Sequence, residues 1–177
     1  MHYCADGSPI VPSHRREALT DLVQDVVNRI PSDSYEESGV PAPFIHETSP
    51  STIVAECLPF CTGEPRTDAV YVLECLKNSS YRQTALNYLG RVGKPWEGHV
   101  DEANRLIYVG MTVNLLNRLN QHLNSPGNAG AHFTTVFRPV RLLDVSWWPS
   151  FQEAMRAEKE VANQLRDRFP NDYVYQL

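Results

Sequence analysis

"RLIYVGMTVNLLNRLNQHL", residues 105–123, decides how this chain is read. Its first half is a short apolar run with β-branched residues that stops at Gly110, the pattern of a strand running into a turn. Its second half sets Leu115, Leu116, Leu119 and Leu123 at helical spacing, with Asn114 or Thr112 placed to cap the first turn. Arg118 and His122 stand four residues apart on one edge of that stripe, so both face the same way. A strand, a glycine and an amphipathic helix therefore bring Tyr108, Arg118 and His122 into one neighbourhood.

The flanking sequence extends this pattern. "AVYVLEC", residues 69–75, has the alternation and β-branched content of a strand, and "FRPVRLLDVSWW", residues 137–148, supplies a third. Residues 76–104 read as a long insertion with one helical stretch around residues 81–89. "SFQEAMRAEKEVANQLRDRF", residues 150–169, is the clearest helix, opened by Ser150 and Glu153 as an S-x-x-E capping box. Its apolar positions are Phe151, Ala154, Met155, Val161, Ala162 and Leu165. The order β-β-α-β-α predicts an α+β fold: a small, mainly antiparallel three-stranded sheet flanked by helices.

Residues 1–66 read as an acidic, Pro-rich N-terminal extension, and residues 67–177 as the principal domain. Ser13 caps a helix running to about Ile30, with Leu19, Leu22, Val23, Val26, Val27 and Ile30 as its stripe and Pro31 as its stop. "PSDSYEESGVPAPFIHETSPS" follows as a loop, and "STIVAECLPFC" predicts one short strand. The formal charge of −5 over 177 residues is uneven. Residues 1–66 carry −6 and the remainder +1, which leaves room for a local basic face in the second part.

No apolar run approaches the roughly 20 residues of a membrane span, and the first residues lack the features of a signal peptide. The expectation is a soluble, cytoplasmic protein with reduced thiols at Cys4, Cys57, Cys61 and Cys75. Cys57 and Cys61 with His46 lack the two tight pairs usual for structural zinc.

One residue breaks the apolar face of the last helix. Position 158 lies seven residues after Phe151 and seven before Leu165, yet it is a glutamate. Burying an unpaired carboxylate is costly, so Glu158 must pair with a cation or open into a cleft. Glu160 falls on the solvent side.

Taken together, "AVYVLEC", "IYVGMT", "NLLNRLNQH" and "EAMRAEKE" resemble the GIY-YIG nuclease family across about residues 68–166. The signature tripeptides fall on Ala69-Val70-Tyr71 and Tyr108-Val109-Gly110, the arginine on Arg118, the histidine on His122 and the metal-binding glutamate on Glu158. Ala69 stands where the first signature glycine would be, and the gap between the tripeptides is longer than in compact members. An asparagine found further along in some members has two candidates, Asn128 and Asn163.

The resemblance implies a divalent-metal-dependent DNA endonuclease acting on double-stranded or branched DNA with one Mg²⁺ or Mn²⁺ held by Glu158. Arg118 would clamp the scissile phosphate. Tyr71 would be the general base with His122 accepting or relaying its proton, and Tyr108 would orient the water or phosphate. Arg138, Arg141 and the amides of the "GNAGA" loop are candidate phosphate contacts. Lys94, Trp96 and Arg91 are candidates in the insertion. The alternative is a catalytically inactive nucleic-acid-binding module on the same scaffold.

Overall fold

The computed structural model describes residues 13–45, 48–61, 68–90, 94–125 and 132–176, and within the first segment the side chains from residue 18 onward. In chain order the elements are α1 (Ser13–Arg29), α2 (Tyr35–Ser38), α3 (Pro50–Cys57) with a following 3₁₀ turn (Leu58–Phe60), β1 (Asp68–Cys75), α4 (Tyr81–Leu89) and α5 (His99–Glu102). The second half holds β2 (Leu106–Thr112), α6 (Leu115–Asn124), α7 (His132–Val136), β3 (Pro139–Trp148), α8 (Phe151–Arg168) and β4 (Tyr173–Gln176).

The sheet has four strands in the order β3-β1-β2-β4. β1 pairs antiparallel with both neighbours, and β4 runs parallel to β2. The expected three-stranded sheet thus gains a fourth, parallel strand. β4 is only four residues long, but Val174 is buried between the half-buried Tyr173 and Tyr175, the alternation of an edge strand. β1 is central, and from Ala69 to Cys75 every residue is buried.

Side-chain alternation along β1 and β2 makes two cores. Ala69, Tyr71, Leu73 and Cys75, with Leu106 and Tyr108, face a layer built from α3, α4, α6 and α7. Val70, Val72, Ile107 and Val109 face α1 and α8, whose small residues Ala154, Ala157 and Ala162 allow close approach to the sheet. Within the extension, α1 belongs to this second core through Val23, Val26, Val27 and Ile30. Arg29 Nε bonds Asp144 Oδ1 on β3 at 2.8 Å, and Arg168 on α8 donates to the carbonyl of Val27.

Several apolar residues expected in the core lie outward instead. Leu22, Leu116, Phe151 and Met155 are each about half exposed. Each sits at the margin of its helical stripe, where the turn of the helix carries it past the packing line. The segment expected as a strand is helical. Ser49 Oγ accepts from Thr52 N at 3.2 Å and Pro50 occupies the first turn, so cap and proline start α3 together. The insertion is core as well. Tyr81, Ala85, Trp96 and Val100 all join the first cluster.

A buried charge network ties the segment after α1 to the sheet. Glu74, 1 % exposed on β1, accepts from Arg141 Nε on β3 at 2.5 Å and from the Tyr35 backbone N–H at 3.0 Å. The other end of Arg141 donates to the carbonyl of Asp33 at 2.7 Å. Arg105 donates to the carbonyls of Pro31 and Asp33 and to Asp172. Each charge is desolvated but answered. Glu74→Ala strands a buried guanidinium and a backbone N–H. It is expected to lower unfolding free energy by about 3–5 kcal/mol in urea titration; a loss under 1 kcal/mol would show that the network is incidental.

Candidate active site

β1 and β2 place Tyr71 opposite Gly110 in antiparallel register, with Tyr108 two residues earlier on the same face of β2. Tyr71 is 0 % and Tyr108 1 % exposed, and their ring centroids lie 6.1 Å apart. A Cβ built on Gly110 would stand 2.6 Å from Tyr71 Oη and 2.7 Å from the Tyr108 ring. The glycine is therefore required for space: its empty position is where the Tyr71 hydroxyl crosses the neighbouring strand.

α6 brings up the next two groups. Asn114 is its cap, accepting from Asn117 N at 3.0 Å, while Thr112 Oγ1 accepts from Asn114 N at 3.1 Å. Leu115, Leu119 and Leu123 anchor the helix to the first core, and His122, 4 % exposed, goes in with them. His122 Nε2 lies 2.7 Å from Tyr71 Oη, and its ring packs edge-on to Tyr108 at 5.2 Å. Arg118, one turn earlier and half-buried, donates from Nε to Tyr71 Oη at 3.4 Å and from Nη1 to Gln121 Oε1 at 3.3 Å.

Glu158 approaches from the other side of the sheet. It belongs to the buried face of α8 and is 7 % exposed. β4 pairs with β2 only as far as Val109, so the edge of β2 beyond that point is left to α8. There the Glu158 carboxylate accepts from the Met111 backbone and, at 3.5 Å, from the Gln176 amide, within electrostatic reach of Arg118 and Tyr108. The site is therefore built across the open end of β2, with tyrosines, arginine and histidine on one face and the carboxylate on the other.

Desolvation dominates the electrostatics. Burial holds the Tyr71 hydroxyl well above its ordinary range, with Tyr108 adding to the rise and Arg118 opposing it. Burial pushes Tyr108 up to about 12 against the pull of Arg118 and of its bond to Tyr71. Burial, then Arg118, lower His122 to about 3, so its imidazole is neutral at physiological pH. Burial raises the Glu158 carboxyl to about 7 despite Gln176, Met111 and Arg118. The protein by itself does not lower either tyrosine pKa: removal from water outweighs Arg118.

The donor set suits a hard cation. Glu158 makes no salt bridge among the described residues, and no three His, Cys, Asp or Glu side chains come together there. One carboxylate, with substrate phosphate and water completing the sphere, is what Mg²⁺ commonly takes.

The remaining sequence candidates separate. Trp96 is 1 % exposed and packs edge-on to Tyr81, Phe133 and Phe137, which corrects its reading as a nucleic-acid contact. Arg138 is likewise turned inward, donating to the carbonyls of Phe44 and Leu123 at 2.9 and 3.0 Å. Arg141 holds Glu74 and Asp33, as described above, so both arginines complete buried carbonyls and carboxylates instead of facing a ligand. Lys94 lies nearer the surface, its Nζ 3.0 Å from His132 Nδ1. Asn163 is exposed on α8. Arg91, Asn128, His46, Cys4 and the "GNAGA" loop lie outside the described residues.

Two neighbours of the site, Thr134 and Gln176, have no counterpart among the sequence candidates. Thr134 Oγ1 is 2.7 Å from His122 Nδ1. Nothing in the periodicity of α7 marks Thr134, and the four residues of β4 give too short an alternation to mark the strand that carries Gln176.

Two outcomes test this geometry. Gly110→Ala is expected to displace the Tyr71 hydroxyl and cost about 1–3 kcal/mol by overpacking, measured by urea unfolding. For Glu158, the raised pKa means the folded state binds a proton more tightly than the unfolded chain. Metal-free protein therefore loses that stabilisation as pH rises from about 4.5 to about 7. In chelator, Glu158→Gln is expected to melt about 2–4 °C above wild type at pH 8 and to lose that advantage at pH 4; a constant difference across pH would sink the assignment.

Residues 100–173 match the family described as GIY-YIG catalytic domain. β1, with Tyr71, precedes the matched stretch and joins it through the β1–β2 pairing. Comparison with curated proteins and with solved structures yields no match. No helix among the described residues is long and apolar enough to cross a membrane.

Proposed function

We propose that this chain, whose residues 100–173 match the GIY-YIG catalytic domain, is a nuclease of that family and hydrolyses phosphodiester bonds in DNA, double-stranded or branched, at the cluster of Tyr71, Tyr108, Arg118, His122 and Glu158. The observation that carries the reading is the 2.7 Å contact between Tyr71 Oη and His122 Nε2 among buried side chains, beside the permanent cation of Arg118. Buried phenol, neutral imidazole and guanidinium in one chain of contacts form an acid–base relay beside a phosphate-binding group.

The roles follow from the chemistry of each group. Arg118 clamps the scissile phosphate, its remaining N–H donors matched to the charge that develops on the non-bridging oxygens. The Tyr71 phenolate is too costly to form alone in this environment, so the relay is concerted. As the water oxygen bonds to phosphorus, its proton passes to Tyr71 Oη and the Tyr71 proton passes to His122 Nε2. The bond from phosphorus to the leaving 3′ oxygen breaks in the same displacement. An incoming phosphate adds negative charge beside Arg118, which offsets one of the causes that depress the His122 pKa. Tyr108, bonded to Tyr71, orients the water or phosphate.

Glu158 would hold a divalent cation, Mg²⁺ or Mn²⁺, which supplies Lewis acidity to the phosphate and charge neutralisation to the leaving oxygen. Because a proton and a cation compete for this carboxylate, activity is expected to rise as pH increases through about 7. Lys94, beside His132 near the surface, is the residue proposed to reach flanking backbone.

Nicking of supercoiled plasmid decides the matter. Wild type with Mg²⁺ should convert it to the open-circular form. Glu158→Ala and Tyr71→Phe should each lose about 100-fold or more in rate, and Arg118→Ala at least as much. DNA binding without cleavage under any divalent metal would favour the inactive binding module.

A further inference from the structure

His122 is held at both ring nitrogens, and the second partner has no assigned role. Nε2 lies 2.7 Å from Tyr71 Oη and Nδ1 lies 2.7 Å from Thr134 Oγ1. Both partners are buried, Tyr71 at 0 % and Thr134 at 3 % exposed, and His122 itself is at 4 %. A neutral imidazole carries one N–H, so one of the two contacts receives a proton from the ring and the other gives a proton to it.

The two ends differ in what they offer. Tyr71 Oη receives the Nε–H of Arg118, and its own proton has two acceptors in reach, Tyr108 Oη and the closely placed His122 Nε2. A threonine hydroxyl has two lone pairs and a rotatable O–H, so it can accept from the ring while donating elsewhere. Phe133 and Val136, neighbours of Thr134 on α7, are locked into the first core, with Phe133 stacked on Tyr175 and tilted against Phe137. That packing fixes the backbone that aims the hydroxyl at the ring.

We propose that Thr134 is a positioning residue: by accepting the Nδ1–H of His122 it selects the tautomer whose Nε2 lone pair faces Tyr71. The role it gives catalysis rests on the nuclease reading above, whereas the tautomer itself does not. With Nδ1–H in place, the phenol proton has a lone pair to enter at Nε2. The imidazolium that results keeps its second proton on Thr134, so no proton has to be relocated during the step. In the opposite tautomer Nε2 would already carry a proton, and the relay from Tyr71 would be closed.

The test reads the tautomer directly. In full-length protein labelled with ¹⁵N-histidine, long-range ¹⁵N–¹H correlation should show His122 protonated at Nδ1 and bare at Nε2 at neutral pH. Thr134→Ser should keep that pattern and wild-type turnover. Thr134→Val should lose it, and should lower single-turnover nicking about 10- to 100-fold with DNA affinity unchanged. Nε2–H in the wild type, or an unaltered Nδ1–H form in Thr134→Val, would overturn the proposal. The wild-type spectrum alone suffices if Thr134→Val does not fold. A chain that cuts no DNA yet shows the expected tautomer would instead count against the nuclease reading.

Discussion

The geometry of the site depends on one steric allowance, the missing side chain of Gly110 under the Tyr71 ring. Antiparallel pairing puts these two residues opposite each other, and only a glycine lets a phenol lie across the neighbouring strand instead of standing off it. From that crossing the Tyr71 hydroxyl reaches His122 and Arg118 on α6. Shifting the register by one residue would send Tyr71 into the opposite core and break its contacts with His122 and Arg118. The all-buried central strand fixes the register, because each of its faces is committed to a different helical layer.

Placing the site inside the layers has an electrostatic consequence. Every group that titrates there is pushed towards its uncharged form: tyrosines protonated, histidine neutral, glutamate partly protonated near neutrality. Arg118 keeps its charge and is the fixed point around which the others are arranged. Such a site is quiet by itself. An anion on one side and a cation on the other would restore the charges that burial suppresses, so ligand binding and acid–base readiness would be linked through the same low dielectric.

How much of this was legible in the sequence varied with the kind of signal. Glu158 was readable because it violates the period of an otherwise apolar helix face, and α8 buries it. Arg118 and His122 were readable as neighbours from their spacing, and the helix carries both to Tyr71. β4 was missed because four residues give too short an alternation to stand out beside a strong helix. Residues 51–57 misled because an apolar run without its cap looks like a strand; Ser49 and Pro50 were the overlooked start signal. Trp96, Arg138 and Arg141 misled for another reason. Aromatic and arginine side chains look alike in sequence whether they meet a ligand or close a core, and only tertiary contacts separate the two. Thr134 carried no local signal at all, since its importance comes from a hydrogen bond across twelve residues of chain.

The bonding of arginines to the protein's own acceptors also bears on ionic strength. Among the described residues, Arg29, Arg105, Arg138, Arg141, Arg166 and Arg168 all bond carboxylates or carbonyls of the protein. They serve as internal fasteners between α1, the 31–35 segment, the sheet and α8. Each phosphate neutralised by a protein cation steepens the fall of log affinity with log salt by about 0.9 for duplex DNA. The charges of Arg29, Arg105 and Arg141 are already answered by carboxylates of the protein, so these three would add little to that slope. Any salt dependence of contact with a polyanion would then come from cations outside these three pairs, Arg118 among them.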